Sequence, residues 1–135
     1  MKSALFALCG VSLALAAAAP ASAHHSGAMF DRTKEVTLVG TIKELQWTNP
    51  HSWIEVMVPD ATGKQVQWSF EMEGPNVMHR QGWNAKTIKP GDHVTIVGRP
   101  LKDGRPGASY VSIKLPDGRI LGRGATGAAA EAPGA

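Results

Sequence analysis

Five histidines and an early processing signal set the first chemical question. Cleavage after Ala23 makes His24 the new N-terminus. Its free α-amine and its ring can then chelate one metal ion. A second imidazole completes a T-shaped set of three nitrogens, which suits the tetragonal preference of Cu(II). His25, His51, His79 and His93 are the candidates for that nitrogen. His51 ranks first, because it sits in a turn that can face the N-terminal arm. Met29 and Met78 offer thioether sulfur for Cu(I). The cofactor implied is a copper ion. Cleavage after Ser22 would instead put His25 third in the chain, another Cu(II) geometry, but with Pro20 three residues before the cut. The competing reading of His24-His25 is an exposed polar arm with adventitious metal affinity.

The second chemical feature is Trp47-Thr48-Asn49-Pro50-His51-Ser52-Trp53. Two indoles flank a turn that displays Asn49, His51 and Ser52, as a ligand-binding loop would. Equally, Pro50 and local hydrogen bonds can make it a rigid turn with both indoles packed inward. Lys102 and Arg105, in a later loop, could hold an anionic or stacked ligand together with Trp47 and Trp53. A charged hairpin tip is the plainer alternative. Glu71 and Glu73 flank Met72, but the strand phase puts Glu71 on the solvent face, as a solvated charge. The sequence contains no Gly-rich phosphate loop, no G-x-S-x-G and no H-E-x-x-H. No catalytic residue is assigned. A copper-dependent oxidoreductase remains the enzymatic alternative, because two histidines and an amine can activate oxygen.

The elements that must position these groups follow from the pattern of apolar residues. Residues 1–23 read as a signal peptide: Lys2, an apolar run from Ala4 to Ala19, then Pro20 and the small residues Ala21-Ser22-Ala23. Its removal leaves 112 of the 135 residues, enough for one small domain. Cys9 is the only cysteine and leaves with the leader, so no disulfide is expected. The expected location is the periplasm, and the expected partner is a periplasmic protein or small ligand. No later apolar run approaches a membrane span. The formal charge of +3, which falls to +2 once Lys2 is removed, is too weak to argue for a nucleic-acid partner, and none is expected.

Residues 24–35 show no period and read as an irregular arm. Residues 36–121 alternate as strands, and residues 122–135 are a Gly/Ala-rich tail expected to be disordered. In the first strand Val36, Leu38 and Ile42 share a face. The phase then slips to Leu45 and Trp47, which predicts a bulge, with Gly40 permitting a sharp coil. Ile54, Val56 and Val58 point inward from the second strand, and Val66, Trp68, Phe70 and Met72 alternate in the third. Pro75 opens a short helix that Gly82 ends. Val94 and Ile96, then Val111, Ile113 and Leu115, face inward from two more strands. Five strands with one short helix between the third and fourth predict an all-β, OB-like barrel. A small β-sandwich is the rival.

Ala23-His24-His25-Ser26, Met29-Phe30-Asp31, the W-T-N-P-H-S-W stretch, Gly82-Trp83 and Lys89-Pro90-Gly91-Asp92 together carry a resemblance. The chain resembles a family of small exported bacterial proteins of unknown function, over roughly residues 20–121. The resemblance implies export and a single small β-domain. It lends no activity, ligand or catalytic residue.

Overall fold

The computed structural model of the chain describes residues 27–123. Five strands close a barrel: β1 (Val36–Gln46), β2 (Trp53–Pro59), β3 (Gln65–Glu71), β4 (His93–Pro100) and β5 (Gly107–Lys114). β1 pairs with β2 and β4, β2 with β3, and β4 with β5, all antiparallel; a parallel β3–β5 pairing closes the ring. The short helix α1 (Pro75–Arg80) lies between β3 and β4. This is the OB arrangement expected from the alternation, and it is a barrel rather than a sandwich.

The inward faces follow the sequence period. Ile42, Ile54, Val56, Phe70, Ile96 and Ile113 are buried in one cluster, which Met78 from α1 and Trp83 and Ile88 from the α1–β4 connection extend. Burying each large aliphatic side chain contributes about 1.5–3 kcal/mol. β1 serves two neighbours because it bends. Its register on β2 steps from Ile42↔Val56 to Glu44↔Glu55, leaving Lys43 as the bulge. Gly40 lets β1 coil tightly against β2: a Cβ there would meet the Met57 carbonyl oxygen at 2.5 Å.

Three features depart from the expected layout. First, part of the arm is built into the barrel. Phe30 is buried and bridges Leu101, and the Asp31 N–H donates to the Pro100 carbonyl at 2.8 Å. One large ring after a Gly/Ala stretch gives no period, so the local pattern could not show this docking. Second, Val111 leaves the core. The β4–β5 register shifts between Val97 and Gly98, pairing Gly98 with Tyr110, and Val111 falls out of phase. Third, a sixth strand, β6 (Ile120–Gly122), folds back on β5 outside the ring. Among the described residues, no helix is long and apolar enough to cross a membrane.

Candidate functional site

The strand registers place four outward residues in one lateral row across the closing seam. Trp53 pairs with Glu71, Glu71 with Ser109, and Ser109 with Arg99. Residues paired across neighbouring strands point to the same face. This row lies on the outside of the barrel, yet Glu71 is only 7% exposed. The expectation that Glu71 is a solvated charge is therefore corrected. Its strand phase is outward as expected, but His51, the docked arm and α1 gather around that end of β3.

Two grooves meet at this row. The larger, about 920 Å³, takes His51, Glu71, Glu73, Arg99, Ser109 and Tyr110 together with Arg32 from the arm, Arg80 from α1 and Arg123 after β6. The smaller, about 420 Å³, runs between the outer face of β2–β3 and the β4–β5 loop. It includes Trp53, Gln67, Ser69, Arg105 and Met29. Glu71 and Phe30 line both. The outer face of strands two and three, beside the loop between strands four and five, is where OB barrels commonly hold ligands.

His51 is held in one tautomer. Its Nδ1 lies 2.8 Å from the Met72 carbonyl oxygen, which can only accept, so Nδ1 carries the proton. The same nitrogen is 3.5 Å from Glu71 Oε1. In the neutral ring, Nε2 then keeps its lone pair, and the ring is about a third exposed at the larger groove. A histidine whose Nδ1–H is fixed by a backbone carbonyl is in the state that metal-ligating histidines use. The turn itself is braced: Thr48 Oγ1 donates to the His51 carbonyl at 2.8 Å, and Ser52 is fully buried, bonded through its backbone to Met72 and Glu73.

Two side chains in the larger groove carry bonds left unmade. Glu71 Oε2 and Arg99 Nε are buried without a hydrogen-bond partner among the described residues. Tyr110 is satisfied, donating its hydroxyl to the Leu121 carbonyl at 2.9 Å, and burial pushes its phenol well above the usual tyrosine range.

The residues singled out from sequence are distributed unevenly. His51 reaches the larger groove, while Trp53, Arg105 and Met29 reach the smaller one. Trp47 packs against the core instead, and Asn49 lies against Gly74 at the start of α1. Lys102 is exposed, and its N–H donates to the Met29 carbonyl. Arg105 is already paired with Asp103 at 2.7 Å. Met78 is buried in the core, and His93 Nδ1 lies 3.2 Å from Thr41 Oγ1, away from both grooves. His24 and His25 lie outside the described residues. Among the described residues, no three His, Cys, Asp or Glu side chains are grouped to hold a metal ion. Glu71, Arg32, Arg80 and Arg99 are the site residues that the sequence reading did not bring together. Arg99 carries a usable signal, its outward phase after Val94 and Ile96, but its neighbours in the groove come from segments scattered along the chain.

The model of a family of unknown function (DUF6152) matches residues 12–109. The chain belongs to this family. The match in this DUF6152 protein runs from before the arm through β1 to β4 and into β5, so it includes all four members of the lateral row and ends on Ser109. Neither the curated proteins nor the solved structures contain a match to the chain.

Proposed function

We propose that this DUF6152 protein is an exported periplasmic binding module whose ligand seats in the larger groove over the β3–β5 seam. The observation that carries this reading is the pair of unmade bonds at Glu71 Oε2 and Arg99 Nε in one groove wall. Leaving a buried polar group unpaired costs about 1–3 kcal/mol, more for a charged one, so such groups gather where a ligand or bound water completes them. The leader-like first 23 residues support export. The test is a two-dimensional amide NMR titration of the mature chain with a small-molecule extract of the periplasm. Shifts should cluster at Glu71, Arg80, Arg99 and Ser109, and Ser109→Trp, which fills the groove, should remove them. Shifts centred on the opposite, β1–β4 side, or unchanged by Ser109→Trp, would overturn the assignment.

A second reading, a copper site, is favoured by the His51 tautomer. Gly27 lines the same groove as His51, and the three residues from Gly27 back to His24 reach at most about 10 Å. The His24 amine and ring with His51 Nε2 would supply three nitrogens. Met29, in the other groove, is not placed beside His51. Calorimetric titration with Cu(II) should give one site on the chain beginning at His24. Affinity should fall at least about tenfold in His51→Ala, the range seen when a metal site loses a supporting group. Equal affinity in an N-terminally extended chain would rule this site out.

A further inference from the structure

All six arginines of the chain lie in the described part, and they divide into two sets. Arg105 pairs with Asp103, Arg119 with Asp117 and Arg123 with Glu35. Arg32, Arg80 and Arg99 make no ion pair and no hydrogen bond through their side chains among the described residues, and all three line the larger groove. They come from separate elements: the arm, the end of α1 and the outer face of β4. Chance exposure would scatter unpaired arginines over the surface; here the fold brings all of them to one cavity.

We infer that the larger groove binds a small multivalent anion bearing carboxylate or phosphate groups, held by Arg32, Arg80 and Arg99. This rests on the reading of that groove as the ligand site and names the ligand's chemistry. The charge balance supports it. Arg123 is offset by Glu35, which leaves Arg32, Arg80 and Arg99, without ion pairs among the described residues, against Glu71 and Glu73 in the same lining. Among the described residues, no lysine lines the groove. Guanidinium forks bind carboxylate or phosphate oxygens in pairs, which an ammonium cannot do. A groove of about 920 Å³ suits a ligand with several anionic groups better than a lone monovalent ion. Arg99 Nε, buried and unpartnered, is the donor that such a ligand or its bound water would complete. Glu71 sits across Ser109 from Arg99, and its unpartnered Oε2 calls for a donor, which a hydroxyl of the ligand or a bound water would supply while the anionic groups lie on the arginine side.

The test is calorimetry on the mature chain with two probes, citrate and inorganic phosphate, in low salt. One of them should bind, and which one does separates a carboxylate ligand from a phosphate ligand. Arg80→Gln and Arg99→Gln should each weaken binding about tenfold or more, as loss of a charge-assisted contact does. Arg105→Gln, at a pair outside this groove, should change it less than about twofold. Arg80 is exposed near the end of a short helix, so its variant keeps the test open if Arg99→Gln does not fold. Binding should also weaken as salt is raised. Absence of binding by both probes, or equal loss in Arg105→Gln, overturns the proposal. If both probes fail while the periplasmic extract still perturbs the groove amides, the ligand class is wrong and the site stands.

Discussion

Trp83→Ala should destabilise the protein by about 3–5 kcal/mol, a large part of the 5–15 kcal/mol available to a small domain. Trp83 is 1% exposed and fills the space between the α1–β4 connection and the barrel. Its ring meets Tyr110 edge-on at 5.6 Å and 87°. Removing it opens a cavity that strands fixed by closure on both sides cannot collapse to fill. Urea denaturation followed by circular dichroism would measure the loss. Trp83→Phe should cost far less, about 1 kcal/mol, because a phenyl ring keeps most of the volume that fills this space. An equal cost for both substitutions would mean that the indole is held by more than packing.

Gly40→Val should be the most damaging single change on β1, costing about 3 kcal/mol or more. The new Cβ would meet the Met57 carbonyl oxygen at 2.5 Å and Val56 Cγ1 at 2.7 Å. The first contact is backbone, so no rotamer change relieves it, and β1 must move away from β2. Because β1 pairs with both β2 and β4, that movement loosens the ring on two sides. The same denaturation experiment checks the cost. Loss of amide protection should then appear at Thr41 and Ile42, which pair with Met57 and Val56. A Gly40→Val chain as stable as the parent would show that β1 does not coil as described.

The barrel was legible because a strand buried on one face shows its inward residues at a period of two. Ile54-Val56-Val58 and Val66-Trp68-Phe70 show this directly, and the slip after Ile42 marked the bulge at Lys43. At Val111 the alternation alone predicts an inward residue, because the register shift on β4 leaves no break in the apolar pattern of β5. Phe30 was missed for a related reason: one buried residue in a short bridge has no period. The site was less visible than the fold. His51 and Trp53 stood out as unusual residue types in a turn. Glu71 has the sequence context of a surface charge, and its burial depends on how His51, the arm and α1 are brought around it in the fold. An arginine's lack of a partner is likewise a fact about three-dimensional neighbours. Asp103 and Asp117 stand two residues before their arginines, while Arg32 stands next to Asp31, whose carboxylate is taken up by Thr33 and Lys34. That carboxyl is held below its usual range, chiefly by the Thr33 hydroxyl.

The central claim is that Arg32, Arg80 and Arg99 stand without partners among the described residues because the larger groove holds an anion. A crystal structure of the mature chain grown with citrate tests it most directly. The account predicts citrate in that groove, with its carboxylates on the guanidiniums of Arg99 and at least one of Arg32 and Arg80. An empty groove in which those three arginines have turned onto protein carboxylates, or citrate seated only at Arg105 or Arg119, would contradict it.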